Sequence, residues 1–193
     1  MNTLRSHLKA YLIVCALLTL SISAVADDPS VPLRLQVDLT AKVMGYAQQP
    51  SVRAVDAVRV GILTRPGSAE STRVGAELKA AFDALPAIAG QAHEQSILRW
   101  SGVSNLVDEA QSKKLFLLYL TPGFEADVPG IARAFRGVQV ITIAAVDDYV
   151  ADGAILGFEL VSGHPKMVFN MAQAKRQNVV FASSVMKLMR VVE

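Results

Sequence analysis

Two kinds of hydrophobic spacing alternate along residues 57–146. Ala57 to Leu63 (AVRVGIL) is a β-branched apolar run and predicts a strand, and Thr64 to Ser71 (TRPGSAES) predicts a turn-rich loop. Thr72 to Leu85 then places Val74, Leu78, Ala81, Phe82 and Leu85 on one side of a helix. The rhythm repeats: a polar, edge-like strand over Gly90 to Trp100, a helix over Val103 to Lys113, an apolar strand over Leu115 to Leu120, a short helix over Val128 to Phe135, and an apolar strand over Val138 to Val146. Continuous apolar runs separated by helices are what strands buried on both faces of a parallel sheet require.

Outside this region the pattern changes. In Val31 to Ala47, Leu33, Leu35, Val37 and Leu39 alternate like a strand, while Leu35, Leu39 and Val43 fit helical steps; the helix is preferred. Ala154 to Leu160 and Pro165 to Met171 read as two strands joined by Val161-Ser162-Gly163-His164, a hairpin rather than a crossover. A final helix is expected from about Ser183 to Val191, with Val185, Leu188, Met189 and Val192 as its apolar face. The expected architecture is a single α/β domain, a mainly parallel sheet flanked by helices, with a C-terminal β-hairpin and a last helix.

The first 26 residues stand apart. Arg5 and Lys9 precede an apolar run from Ala10 to Ala24 that ends in Ala24-Val25-Ala26, the layout of a signal peptide cleaved near Ala26. The run is too short to span a bilayer, for which about 20 apolar residues are needed, and no later stretch is long enough, so stable membrane insertion is not expected. Cleavage would leave residues 27–193 as the domain and would remove Cys15, the only cysteine. A thiol-free domain has no disulfide, no thiolate nucleophile and no Cys-ligated metal. Cleavage also takes two of the 19 basic residues and none of the 17 acidic ones, leaving a formally neutral chain. Neutrality without a Lys or Arg run gives no footing for nucleic-acid binding.

Signatures of catalysis or cofactor binding are absent: there is no G-x-S-x-G, no H-E-x-x-H, no Walker loop and no G-x-G-x-x-G after the first strand. No enzyme activity, cofactor or metal is expected. Beyond the leader the histidines are His93, on the polar strand, and His164, in the hairpin turn, and solvated side chains are the expectation for both. In a parallel sheet ligands gather at the carboxyl ends of the strands. The loops there offer Arg65, Ser68 and Ser71, then Trp100, Ser101 and Ser104, then Thr121, and finally Asp147, Asp148 and Asp152. The plainer reading is that the serines cap helices, the aspartates close a strand and cap a turn, and Trp100 lids the core.

From Gly137 to Val192 a series of features follows in order: Val140-Ile141-Thr142-Ile143, an acidic turn over Asp147 to Asp152, Gly153 to Phe158, Gly163, Phe169-Asn170, Ala172 and Ala174, Ser183, then Met186, Leu188, Val191 and Val192. This series resembles the carboxy-terminal half of the YfiR family of small periplasmic proteins, with Gly153, Phe158, Gly163, Asn170, Ala174, Ser183 and Leu188 as framework positions. Leu39 to Pro50 resembles the family's amino-terminal helix, with Gln49 where Trp is usual and Lys42 where Asn is common. Lys113 and Lys114 stand where family members often carry cysteine before the third strand, so disulfide-based regulation has no counterpart. The resemblance implies a periplasmic repressor whose partner is the periplasmic segment of an inner-membrane diguanylate cyclase, restraining cyclic-di-GMP synthesis and biofilm formation. The residues themselves leave a second possibility, a periplasmic receptor for a small ligand or anion linked to uptake. No motif fixes an oligomeric state.

Overall fold

The computed structural model describes residues 28–48 and 56–192. The expected signal peptide and the Gln49-Pro50 close of the first helix lie outside the described residues. The Val31 to Ala47 ambiguity resolves as a helix, α1 (Leu33–Met44), which buries Leu33, Val37, Val43 and Met44. Then follow β1 (Val58–Thr64), α2 (Ala69–Asp83), β2 (His93–Arg99), α3 (Val103–Ser112), β3 (Leu117–Leu120), α4 (Val128–Ala134) and β4 (Ile141–Ala144). The chain continues through α5 (Tyr149–Asp152), β5 (Leu156–Val161), β6 (His164–Asn170), α6 (Met171–Arg176), α7 (Ser183–Met186) and β7 (Arg190–Val192).

All seven strands form one sheet in the order β2-β1-β3-β4-β5-β6-β7. Pairs from β2 through β5 are parallel, β5 and β6 are antiparallel, and β6 and β7 are parallel. Alternate side chains feed two cores. Val60, Ile62, Leu117, Tyr119, Ile141 and Ile143 pack with α1 and α2 on one face. Leu63, Leu118, Leu120 and Ala144 pack with Leu106, Ile131 and Phe135 on the other. Burial on both faces is why these strands carry no polar side. β2 lies at the edge, as its polar composition implies, and buries only Leu98 fully.

The hairpin turn is the two-residue loop Ser162-Gly163, with φ of +52° and +78°, the left-handed pair that matches strand twist. His164 therefore opens β6 instead of sitting in the turn, and it is exposed. His93 departs from the solvated expectation: it is half-buried, with Nε2 3.0 Å from the Leu85 carbonyl oxygen and its ring 6.4 Å from that of Phe82.

The C-terminus corrects the expectation of a helix from Ser183 to Val191. Helix α7 stops after one turn, and Arg190-Val191-Val192 becomes a strand registered on Val168, Phe169 and Asn170. The free edge of β6 supplies backbone partners to a β-branched pair, and the Arg190 guanidinium makes two hydrogen bonds to Glu159, at 2.7 and 2.6 Å. Leu188 consequently faces solvent at 75% exposure instead of joining an apolar helix face.

Candidate functional site

The carboxyl ends of β1 and β3 deliver Arg65 and Thr121 side by side. Thr121 is fully buried, and its hydroxyl donates to the Leu63 carbonyl at 2.7 Å. Because that proton is committed, the 2.5 Å contact between Ser71 Oγ and Thr121 Oγ1 has Ser71 as donor. Ser71 Oγ in turn accepts from the Arg65 backbone N–H at 2.8 Å, and Ser68 Oγ caps α2 by accepting from the Ser71 N–H at 3.1 Å. Ser68 and Thr121 are thus occupied in holding the β1–α2 connection.

The Arg65 side chain reaches the next loop. Its guanidinium pairs with Asp127, its Nε donates to the Gly123 carbonyl, and its cationic carbon lies 4.4 Å from the Phe124 ring centroid and 5.9 Å from that of Trp100. Trp100 and Phe124 meet edge to face at 5.4 Å. Beneath them the Tyr149 hydroxyl accepts from the Phe124 N–H at 2.7 Å and donates to Glu125 at 2.8 Å. Burial pushes the Tyr149 phenol pKa well above its ordinary value. Burial also acts to raise the Glu125 pKa, but donors from the backbone and Tyr149 outweigh it and hold the carboxyl below the usual range.

Of the predicted loop residues, then, Arg65, Trp100 and Thr121 converge, with Ser68 one hydrogen bond behind. Ser101 accepts from Asn105 at 3.3 Å, and Asp147 accepts from the Ser30 hydroxyl at 2.6 Å, so neither joins the cluster. Sequence reasoning missed Phe124, Asp127 and Tyr149. The Thr121-Pro122-Gly123 turn that presents Phe124 was the available signal. Beside the cluster a cavity of about 540 Å³ is lined by Arg65, Gly67, Lys79, Asp83, Ile97 and Arg99. Two of its cations are committed, Arg65 to Asp127 and Lys79 to Asp83 at 2.8 Å. Among the described residues no three His, Cys, Asp or Glu side chains converge as a metal site.

The seven residues of the carboxy-terminal series divide differently. Gly153 has φ +127°, and a Cβ there would lie 2.5 Å from that of Ala132, so both backbone and space require glycine. Phe158 and Ala174 are buried, and Gly163 completes the hairpin turn. Asn170 caps α6 through a 2.8 Å bond from the Gln173 N–H and donates to the Val150 carbonyl at 2.8 Å. Ser183 and Leu188 lie at the surface.

Leu188 belongs to a second feature. At the β7 end of the sheet an apolar groove of about 320 Å³ runs between α1, β6 and α7, lined by Leu39, Tyr46, Met167, Val185, Leu188 and Met189 and rimmed by Lys42 and Lys166. Tyr46 is 49% exposed there, a large side chain left open to solvent.

Fold and geometry together define the class: a mainly parallel α/β domain with a cavity at its strand ends and an uncovered apolar groove at its C-terminal edge. The chain belongs to the YfiR/HmsC-like family, whose model matches residues 34–190. No curated protein sequence matches it significantly. Solved structures share the fold at low identity. The ABC domain in complex with L-Trp from Streptococcus pneumoniae aligns with a TM-score of 0.56 and 13% identity, covering 83% of this chain and 62% of that one. A substrate-binding protein with adhesive properties from Clostridium difficile, in its ligand-free, open structure, aligns with a TM-score of 0.57 and 14% identity, covering 90% and 66%. A conserved domain protein from Vibrio cholerae O1 biovar El Tor aligns with a TM-score of 0.53 and 14% identity, covering 84% and 60%. The chain therefore spans less than two thirds of the length of these three structures.

Proposed function

We propose that the protein is a periplasmic regulatory binding protein that restrains an inner-membrane diguanylate cyclase by docking on its periplasmic segment. Residues 1–26 would act as the signal peptide, leaving residues 27–193 as the working domain. The carrying observation is membership of the YfiR/HmsC-like family over residues 34–190, joined to an open apolar groove at Tyr46 and Leu188. A repressor needs only to bind one state of its receptor better than the other, and about 1.4 kcal/mol of difference changes the population ratio tenfold. An apolar groove rimmed by Lys42 and Lys166 suits an apolar segment with acidic flanks. Deleting the gene should raise cyclic-di-GMP and biofilm, and the protein should co-purify with a membrane cyclase. Unchanged cyclic-di-GMP with no such partner would overturn the reading. Mass spectrometry of the exported protein should find Asp27 at its N-terminus.

A second reading, a receptor for a small ligand or anion linked to uptake, rests on the 540 Å³ cavity beside Arg65 and Trp100, where Arg99 has no acidic partner among the described residues. A solute present at 100 times its dissociation constant should stabilise the protein by about 2.7 kcal/mol. A thermal-shift screen of periplasmic solutes that finds no stabilisation excludes this reading.

A further inference from the structure

A different cavity, on the sheet face opposite α1, brings together three arginines. It holds about 300 Å³ and is lined by Arg133 and Arg136 at the C-terminal end of α4, Arg176 at the end of α6, and Asp152 at the end of α5. Its floor includes the Asn170 and Gln173 side chains, which are almost wholly buried. Those amides are fixed: Gln173 Nε2 donates to the Ala132 carbonyl and to Gln177 Oε1, both at 2.8 Å, and Asn170 is held as the α6 cap. The floor is rigid and polar while the rim is cationic.

The rim is also uncompensated. Elsewhere on the surface Arg59, Arg65, Arg73, Lys79, Lys113 and Arg190 pair with carboxylates. Among the described residues Arg133, Arg136 and Arg176 have no ion pair, and the one polar contact of their guanidinium groups is a long 3.4 Å bond from Arg176 to Gln173 Oε1. Even Asp152, which lines the same cavity, is not within ion-pair distance of them. Three like charges around one small cavity repel one another, a cost that a bound anion removes.

We propose that this cavity is a binding site for a small phosphate dianion, either inorganic phosphate or the phosphate group of a small monoester. Guanidinium forks match phosphate oxygens in pairs, and three lining one small cavity suit a tetrahedral oxyanion better than a planar carboxylate. The three arginines and Asp152 sum to two positive charges, which a dianion balances. The volume falls at the lower end of the range for small-molecule sites. Bound phosphate would tie α4, which packs on the parallel strands, to α6, which follows the hairpin, and so join the two halves of the sheet. The site is independent of the regulatory reading.

The test is isothermal titration of the purified protein at constant ionic strength with inorganic phosphate, glycerol phosphate and succinate. Saturable binding of the phosphates is expected, with Arg136→Gln and Arg133→Gln each weakening it about tenfold, the loss of one charge-assisted pair. Arg34→Gln, exposed on α1 across the sheet, should leave it unchanged. Asp152→Asn should tighten it several-fold by removing the repelling carboxylate, a gain that misfolding cannot imitate. Glycerol phosphate binding as well as inorganic phosphate places a monoester in the site; inorganic phosphate alone binding restricts it to the free ion. No binding of either, equal affinity in Arg136→Gln, equal loss in Arg34→Gln, or succinate binding as tightly as phosphate would each overturn the proposal.

Discussion

The two ends of the sheet solve the same problem in opposite ways. At the parallel end β1, β3 and β4 are sandwiched between helices, and the loops beyond them close on themselves, as Arg65 pairs with Asp127 and stacks on Phe124 while Tyr149 bridges Phe124 and Glu125. At the hairpin end the outer halves of β5 and β6 are exposed, and the groove leaves Leu188, Tyr46 and, nearby, Leu160 in solvent. The contrast teaches that polarity alone is a poor guide to a binding surface. The charged cluster at the strand ends is largely consumed by internal partners, whereas the apolar groove has none.

The sharpest way to break this comparison is to attack the closed end. Phe124→Ala removes a fully buried ring that carries both Trp100 and Arg65, and urea titration should show a loss of about 3–5 kcal/mol. Next is Gly153→Val, where a left-handed φ and the 2.5 Å approach to Ala132 combine; a loss of about 3 kcal/mol in the same titration is expected. A smaller effect follows from Tyr119→Phe. The Tyr119 hydroxyl lies 2.6 Å from Thr40 Oγ1 in the core between β3 and α1, and losing that bond should cost about 1 kcal/mol.

Acid should separate the ends further. Arg190 holds the Glu159 carboxyl below its ordinary value of 4.5, so the pair contributes stability at neutral pH that is lost as pH falls through the lower, folded-state value. Because solvent reaches Arg190, the contribution is about 0.5 kcal/mol, and melting scans between neutral and acid pH should show Glu159→Gln approaching wild type as pH falls. Smallest in stability is Leu188→Asp, within about 0.5 kcal/mol of wild type because the side chain is exposed. In a pull-down with the proposed cyclase partner the same variant should weaken association at least about tenfold, as desolvated apolar anchors do when charged.

Much of the framework was legible in the sequence because its signals are local. The β-branched runs AVRVGIL and VQVITIAAV could satisfy their composition only in strands covered on both sides, and Ser162-Gly163 could form only a tight turn. The carboxy-terminal residue series carried the family before any coordinate. Two readings failed where distant partners intervened. Arg190-Val191-Val192 fits a helix end by spacing, yet the open edge of β6 and the Glu159 carboxylate draw it into a strand. His93 reads as a solvated residue on a polar strand, yet the Leu85 carbonyl and the Phe82 ring enclose it.

The candidate sites were less legible still. Arg65 and Trp100 stand out in the sequence as loop residues, but their partners Phe124 and Asp127 lie on the loop after β3, which only folding brings within contact. The arginine cavity draws Arg133, Arg136 and Arg176 from segments separated by β4, α5 and the β5–β6 hairpin. The sequence by itself determined the periodicities and the turn residues, since each depends on neighbours in the chain. The tertiary structure decided which charges are neutralised, which apolar side chains stay wet and where the last strand goes, because each depends on residues far apart in sequence meeting across the sheet.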